Sequence, residues 1–572
     1  MRRALASIVM LAFSAVPAFA QTQYQYVDEK SPNQVRKTAA LERLHDILRN
    51  HSNLHNEYAE IAAIGNEPSV PLLLERLRLD YGSLQRGDPS GVGVGFDCAQ
   101  VHLVDALRAI TNTDQGMYYP RWLSWWEANR GLPQQRWIHD GFAMKGLHVV
   151  EPVDEQFGLE LIELIGHDRD YLNFNARRLL ADAAPEQRAK WAARAAESGQ
   201  RYAQLGTIQV LSVFEIDGQD ALLRRLAGDS DWEIRRQALT RLNDHLRTSL
   251  SAAPGKARIL RGADKDNWIR GVCFISDLLV VAFRNGEVEA FDTRTLSNLW
   301  TRRVFSGAGD QVLVDGDRVF LAAQEGGVIA LDQRGQVVWR RETDDERNEI
   351  RRLISRGEEI VLVRLNSVDQ LDVNTGATKS TIPSDGLIRD ADSTHKSGFF
   401  VDGRGLRSFG DVGGPEHQLS HARGVSVNEQ SVCVTSGGAE DRITCLAPGT
   451  LSVQWTRPIG KNGTWGHGVA PIQNGSQVFV PTDNELTAFD ASDGSMRWTA
   501  YGGQESHGRT VPTDYGLLVQ SITYKLELRD LQTGEVRRVW PQIPGVARVA
   551  VHRQFAAVAD LDGGLWLVDL RN

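Results

Sequence analysis

The sequence predicts a multidomain protein with an α-helical solenoid over residues 21–252, followed by an all-β, eight-bladed propeller over residues 253–572. The propeller is predicted by a pattern of short apolar strands, a tight turn and a closing Asp that returns about every 40 residues. The solenoid is predicted by paired apolar stripes with helical spacing. The six clear copies of the propeller pattern end at Asp292, Asp332, Asp372, Asp490, Asp530 and Asp569.

Two weaker copies complete the predicted ring. They end near Gly410 and Ala447, in the long gap between the third clear copy and the fourth. The last copy stops at Asn572 without a fourth strand, so we expect Ala257–Leu260 to supply that strand. Pairing the two ends of the chain in this way would close the ring and remove its open sheet edges.

The helical half carries repeated helix pairs. Residues 65–73 and 228–239 each place a polar turn before an apolar helix, and residues 167–179 form a weaker third copy. These segments resemble HEAT-type helical repeats, which stack into a curved solenoid and bind proteins. A helical cap that only shields the propeller fits the same pattern, and the sequence leaves both interpretations open. Trp122, Trp125 and Trp126 have the i, i+3, i+4 spacing of a helix face that packs into a core.

The N-terminus has the features of a secretory signal. Arg2 and Arg3 are followed by the apolar run Ala4–Val16 and by the small-residue site Ala18–Ala20. We expect residues 1–20 to be cleaved after Ala20, which predicts a periplasmic or secreted protein. The apolar run is too short to span a membrane, and no transmembrane segment is predicted.

Composition narrows the class of partner. Apolar residues make up 41% of the chain and charged residues 24%, values typical of soluble globular proteins. The net charge of −9 argues against a nucleic acid partner for the protein as a whole.

The four cysteines are Cys98, Cys273, Cys433 and Cys445. Cys433 and Cys445 flank one predicted turn, so they either face each other as a disulfide across a hairpin or remain two small buried thiols. Cys98 and Cys273 lie in different predicted domains, which disfavours a bond between them. The sequence has no C-x-x-C pair, and we expect neither a metal site nor a thioredoxin-type site.

The turn after each closing Asp leads to a characteristic residue. A Trp follows at positions 300, 339 and 498, while Asp372 and Asp530 are followed by Thr-Gly without the Trp. This pattern resembles the repeat of pyrroloquinoline-quinone-type (PQQ-like) propellers. In that family the Trp docks between blades, so the resemblance implies a structural role for it.

The resemblance leaves two functional classes. One is a quinone-dependent dehydrogenase, whose members carry adjacent cysteines over the cofactor, calcium ligands and long insertions between blades. This chain has no adjacent cysteines, and its repeats of about 40 residues leave no room for such insertions. The other class is a non-enzymatic scaffold, such as the propeller lipoprotein of the outer-membrane barrel-assembly machinery. We expect a scaffold without enzymatic activity or cofactor, bound to other envelope or secreted proteins.

One set of polar residues recurs at an equivalent place in every copy, 21 to 24 positions before its end. The first strand of a propeller blade lines the central channel, so we expect these side chains to converge at one mouth. Arginine binds carboxylate or phosphate with two parallel hydrogen bonds, which predicts an acidic ligand or polymer there. The alternative is internal pairing with Asp310, Glu349, Asp390 and Asp392. The residues are Arg270, Gln311, Arg351, Arg389, Arg423, His467, Arg509 and Arg548.

Overall fold

A computed structural model of the chain contains two compact units, Met1–Arg241 and Leu242–Asn572. The predicted boundary at residue 252 coincides with the end of the last helix, at Ser251, rather than with the division between the units. The predicted signal peptide, residues 1–20, lies outside the described residues. The structure describes residues 34–50, 54–85, 98–167, 171–323, 326–342, 350–384, 386–409, 416–419, 421–437, 441–459, 470–482, 485–501, 510–520 and 525–571.

The described N-terminal residues form twelve α-helices, which confirms the predicted helical region. Their assignment to the HEAT type stays a prediction. The helices are α1 Gln34–Asn50, α2 His55–Ile64, α3 Ser69–Gln85, α4 Cys98–Thr111, α5 Tyr119–Asn129, α6 Gln134–Met144, α7 Glu155–Gly166, α8 Asn173–Asp182, α9 Pro185–Glu197, α10 Arg201–Val213, α11 Gln219–Leu226 and α12 Trp232–Ser251.

The tryptophans of α5 pack into the core of the first unit. Trp122 is fully buried, and its indole N–H donates to the carbonyl of Gly116 at 2.7 Å. Trp125 and Trp126 meet the ring of Trp137 edge-on, with centroids 5.4 and 5.9 Å apart. The predicted core role of this helix face is therefore confirmed, because edge-to-face aromatic pairs stabilise a packed interior.

Two glycines allow helices α7 and α10 to cross with their backbones in contact. A Cβ atom on Gly206 would collide with the carbonyl oxygen of Ile162, and one on Gly166 would collide with the carbonyl of Tyr202. Any larger residue at either position must push the two helices apart. This crossing fixes the middle of the helical unit, because packed interiors yield little to added volume.

We expect Gly206→Ala to destabilise the helical unit by about 1–3 kcal/mol, although alanine favours a helix more than glycine does. The reason is the collision with the Ile162 carbonyl. Gly131→Ala is the matched control, since no atom lies within 4 Å of the added methyl group. Chemical denaturation followed by far-UV circular dichroism measures both variants. Equal midpoints for the two variants would contradict the tight crossing.

The described residues of the second unit form eight four-stranded antiparallel sheets, which confirms the predicted propeller. Blade 1 contains β2 Ile269–Ile275, β3 Leu278–Phe283, β4 Glu287–Asp292 and β5 Asn298–Arg303; blade 2 contains β6 Ala308–Asp315, β7 Arg318–Ala323, β8 Val328–Asp332 and β9 Val337–Arg341; blade 3 contains β10 Arg352–Arg356, β11 Glu359–Val363, β12 Ser367–Asp372 and β13 Thr378–Pro383; blade 4 contains β14 Asp390–Ser393, β15 Gly398–Val401, β16 Leu406–Phe409 and β17 Glu416–His417. Blade 5 contains β18 Ala422–Val427, β19 Val432–Ser436, β20 Arg442–Leu446 and β21 Val453–Pro458; blade 6 contains β22 Ile472–Asn474, β23 Gln477–Pro481, β24 Glu485–Asp490 and β25 Met496–Tyr501; blade 7 contains β26 Val511–Thr513, β27 Gly516–Gln520, β28 Leu526–Arg529 and β29 Val536–Trp540; blade 8 contains β30 Arg548–His552, β31 Phe555–Ala559, β32 Leu565–Asp569 and β1 Ala257–Arg261.

The ring closes as the sequence predicts. Strand β1 pairs antiparallel with β32, with Ala257 opposite Val568 and Arg258 opposite Leu567. Buried side chains of blade 1 pack against those of blade 8 in one continuous apolar cluster. The start of the propeller therefore completes its last blade, and the two ends of the ring are held by main-chain hydrogen bonds.

Tryptophans on the outermost strands dock each blade onto the next. The Trp498 indole N–H donates to the carbonyl of Leu531 at 3.0 Å, directly after the repeat position Asp530. Trp339 donates in the same way to Val373 at 2.9 Å, and its ring lies against Gly376. The structural role implied by the family resemblance is thus seen in these contacts.

We expect Trp498→Ala to lower the stability of the propeller by about 3–5 kcal/mol, the usual cost of truncating a buried aromatic side chain. Trp498 is 3% exposed and holds blade 6 to blade 7. Val453→Ala, on the exposed face of the outermost strand of blade 5, is the control and should cost less than about 0.5 kcal/mol. The midpoint of urea unfolding, followed by fluorescence, measures both. A small shift for Trp498→Ala would show that the docking contributes little.

Candidate binding site at the channel mouth

The described candidate residues share one place in their blades, in the first half of the first strand or directly before it. First strands of neighbouring blades contact each other around the ring. These positions therefore lie at the same end of the central channel. His467 and Arg509 lie outside the described residues. The described candidates are Arg270, Gln311, Arg351, Arg389, Arg423 and Arg548, in blades 1 to 5 and blade 8.

Hydrogen bonds link neighbouring positions across blades. The Arg548 Nε–H donates to the carbonyl of Arg270 at 3.0 Å, which joins blade 8 to blade 1. Arg351 Nη1 lies 3.5 Å from the carbonyl of Ile388, the residue before Arg389. The structure thus brings together Arg548 with Arg270, and Arg351 with Arg389, as neighbours around the channel.

The candidate arginines differ in exposure and in compensation. Arg351 and Arg389 are exposed, and the Arg389 side chain makes no hydrogen bond or ion pair among the described residues. Arg423 is half-buried, with its Nη1 3.7 Å from Asp441 Oδ1 and its guanidinium against Gly437. Arg351 and Arg389 are therefore the most available cations among the described candidates, while Asp441 offsets part of the charge on Arg423.

Two of the acidic residues proposed as internal partners bind another residue. Arg352 Nη1 lies 2.7 Å from Asp390 Oδ1, and Arg352 Nη2 lies 3.8 Å from Asp392 Oδ1. The other carboxylate oxygens accept backbone N–H groups of blade 5, from Val425 at 2.9 Å and Val427 at 2.8 Å. These carboxylates therefore tie the first strands of blades 3, 4 and 5 together. Glu349 and the side chain of Asp310 lie outside the described part of the chain.

Burial and charge act in opposite directions in this cluster. Burial raises the pKa of Asp392, and the nearby Arg352 only partly counters it. Burial lowers the pKa of Arg352, but Asp390 and Asp392 together outweigh it and raise that pKa above its ordinary value. The Arg352 guanidinium therefore stays charged, and Asp390 and Asp392 in the same cluster balance its charge. The sequence analysis missed Arg352 because it counted only the neighbouring Arg351 at the repeat position.

Cys433 and Cys445 form a disulfide in the structure. They lie directly opposite each other on β19 and β20, with Cα atoms 4.1 Å apart, and both are fully buried. Cys273 is a free, buried thiol, and burial raises its pKa to about 12. A thiol with so high a pKa is almost entirely protonated at neutral pH, so it is unreactive there.

The acidic turn of blade 8 is held by its own backbone. Asp560 Oδ1 accepts the N–H groups of Asp562 at 2.9 Å and Gly564 at 2.7 Å, and Asp560 Oδ2 accepts the Trp566 indole N–H at 2.7 Å. Its oxygens are therefore committed to a turn. Among the described residues, no group of three His, Cys, Asp or Glu side chains is arranged to hold a metal ion.

The family model described as outer membrane protein assembly factor BamB matches residues 263–387 and 365–537. These segments run from before blade 1 into the last strand of blade 7 and include the weak copies of blades 4 and 5. The propeller is a PQQ-like repeat propeller. The matched residues include the Asp turns and the docking tryptophans, so this part of the sequence resemblance is confirmed.

Two solved structures are similar to the PQQ-like propeller. The crystal structure of BamB from Moraxella catarrhalis is 14% identical with a TM-score of 0.43, and the match covers 55% of this chain and 96% of that one. A crystal structure of the computationally designed Ika8 protein is 14% identical with a TM-score of 0.44, covering 54% and 98%. No protein with a curated function matches the chain. None of the described helices is both long and apolar enough to cross a bilayer.

We expect unreduced protein, unfolded in denaturant, to titrate two thiols with Ellman's reagent, and reduced protein to titrate all four. The disulfide removes Cys433 and Cys445 from the first count and leaves Cys98 and Cys273. The double variant Cys433→Ser and Cys445→Ser is the control and should titrate two thiols in both conditions. Four thiols without reductant would contradict the bond.

Proposed function

We propose that this chain is an exported, non-enzymatic binding protein whose PQQ-like propeller recognises an acidic ligand at the mouth of its channel. The arrangement of Arg351 and Arg389 is the observation that carries the proposal. Both are exposed, they lie on successive blades, and the nearby carboxylates of Asp390 and Asp392 are engaged by Arg352. Positive charges held close together without an acidic partner among the described residues favour an anion.

Export is supported by two independent features. Residues 1–20 have the charge, apolar run and small-residue site of a secretory signal. The disulfide between Cys433 and Cys445 suits an oxidising compartment, because cytosolic thiols are kept reduced. We therefore propose a periplasmic or secreted protein with envelope or secreted proteins as partners, in keeping with the assembly-factor description of the matching family.

The helical unit offers a second surface for proteins. Large apolar side chains remain exposed on it at Tyr118, Met144, Phe174 and Trp232. Contiguous exposed apolar patches mark protein interaction sites. We propose protein binding by this unit, with a role only as a cap as the alternative.

We expect the double variant Arg351→Gln and Arg389→Gln to bind a fluorescein-labelled polyglutamate peptide about tenfold more weakly than the unmodified protein at low ionic strength. The loss should shrink as salt is added, because screening weakens the charge attraction that the variant removes. Fluorescence anisotropy across a salt series measures both effects.

The control variant Arg294→Gln and Arg334→Gln removes the same charge at the opposite end of blades 1 and 2. It should bind polyglutamate as the unmodified protein does. If both variants lost the same affinity for polyglutamate, the loss would be an effect of net charge, and a site at the channel mouth would be refuted. An absorbance spectrum after incubation with pyrroloquinoline quinone and calcium tests the non-enzymatic part, because retained quinone would favour the dehydrogenase alternative.

A further inference from the structure

The outermost strands of three successive blades form a basic arc on the rim of the propeller. Strands β1, β5 and β9, in blades 8, 1 and 2, contain no Asp or Glu although the chain carries a net charge of −9. This arc lies at the opposite edge of each sheet from the channel strands. Its arginines are Arg258, Arg261, Arg302, Arg303, Arg340 and Arg341.

The cations of β5 differ from Arg261 of β1 and Arg497 of β25, which lie on other outermost strands. Arg302 and Arg303 are exposed and make no hydrogen bond or ion pair within the described part of the chain. Arg261 of β1, by contrast, binds Glu289 at 2.7 Å, and Arg497 of β25 binds Asp490 at 2.5 Å. Glu287 lies opposite Arg303 in the strand register but bonds the side chain of Asn285. Blade 1 thus presents two adjacent cations without an ion pair among the described residues, whereas Arg261 and Arg497 each have a carboxylate partner.

The same strand has an open edge and an exposed apolar side chain. β5 pairs only with β4 in the described structure, so its outer backbone N–H and C=O groups face away from the sheet. Leu299 is 52% exposed, and Val337 and Val338 of the next blade are also exposed. The indole N–H of Trp300 donates to the Gln333 carbonyl at 3.0 Å and holds β5 in place. This contact anchors β5 to the turn of blade 2, and an edge that is already positioned costs less entropy to bind.

Charge decides which strand such an edge accepts. Charged residues commonly protect an edge strand from pairing with other chains. Two arginines repel a second copy of β5, so they guard against self-association. The same two arginines attract a strand that carries acidic side chains.

We propose that the edge of β5 binds an extended acidic segment of another protein, which adds a fifth strand to blade 1. Backbone hydrogen bonds supply affinity, while the side chains select the sequence. Adjacent residues of a strand point to opposite faces, so Arg302 and Arg303 call for two consecutive acidic residues. Leu299 lies at the register shift of β5, between the paired residues Asn298 and Trp300, and calls for an apolar residue beyond the segment that pairs with Trp300–Arg303. This surface is separate from the channel mouth and does not depend on the ligand proposed there.

The probe is a fluorescein-labelled peptide with two consecutive Glu residues and a Val three to four positions on, titrated against the full chain. A Lys-for-Glu peptide and a peptide with alternate backbone amides methylated are the comparison probes. We expect only the acidic, unmethylated peptide to bind. The variant Arg302→Glu with Arg303→Glu should bind it at least about tenfold more weakly and should gain affinity for the Lys peptide.

The charge-matched control is Arg537→Glu with Arg571→Glu, two exposed arginines elsewhere on the propeller. It should bind the acidic peptide as the unmodified protein does, and circular dichroism should show all variants folded. Equal binding of the methylated peptide would refute strand addition, as would no binding of any peptide. If the Arg351→Gln and Arg389→Gln variant lost affinity for the acidic peptide and the β5 variant did not, the peptide would bind at the channel mouth. That outcome would refute the β5 site while leaving the proposed function intact.

Discussion

The docking of an indole onto the turn of the next blade is the contact on which the propeller depends. Four tryptophans donate to the carbonyl of the residue directly after the repeat position at 2.9–3.0 Å, namely Trp300, Trp339, Trp455 and Trp498. The rings of Trp300, Trp339 and Trp455 lie against a glycine of that turn, at Gly335, Gly376 and Gly494, each with φ between 68° and 74°. A side chain at those glycines would strain the backbone and displace the ring. The Asp, the Gly and the Trp of the repeat are therefore parts of one interaction.

Where the tryptophan is missing, the residue in its place bonds differently in different blades. Arg538 of blade 7 donates to the carbonyl of Leu570 at 2.9 Å, the same place in the repeat after Asp569. In blade 3 Ser380 occupies the position of the tryptophan, and its hydroxyl bonds the Gln370 side chain of the same blade. On five of the described turns the residue after the repeat position is thus an acceptor, and the donor is a Trp or an Arg. This explains why the Asp turns are regular in the sequence and the tryptophans are not.

The turns and the ring closure could be predicted because they depend on neighbours in sequence or on an evident missing strand. Contacts over long separations could not. Asn243 accepts from the N–H of Val536 at 2.8 Å, and Arg247 binds the fully buried Glu527 at 2.5 Å, which joins the end of α12 to blade 7 within the second unit. The local sequence around either residue of such a pair does not indicate its partner, because the two lie far apart in the chain. Helix α9 has only a weak helical signal in the sequence, for another reason. Its buried face includes several alanines, which give a weak apolar stripe.

The site shows the same limit at the level of single residues. In the six blades whose candidates are described, the residue found by counting along the repeat lies in the first half of the first strand or directly before it. Counting could not decide which of two adjacent arginines faces Asp390 and Asp392, because successive residues of a strand point to opposite sides. Arg352 takes both carboxylates, and Arg351 is left near the Ile388 carbonyl. A shift of one residue therefore separates a structural ion cluster from an available cation.

The distribution of charge reconciles a net negative chain with two basic surfaces. The repeat aspartates serve as caps of their own turns: hydrogen bonds from Ser492 and Arg497 lower the pKa of Asp490 to about 2, and those from Thr375 lower the pKa of Asp372. These carboxylates stay ionised at neutral pH, at the end of the blades opposite the channel mouth. A strand of five or six residues separates the two ends by about 17–20 Å, roughly twice the screening length at physiological salt. The acidic turns consequently do little to neutralise Arg351, Arg389 or the arginines of β5.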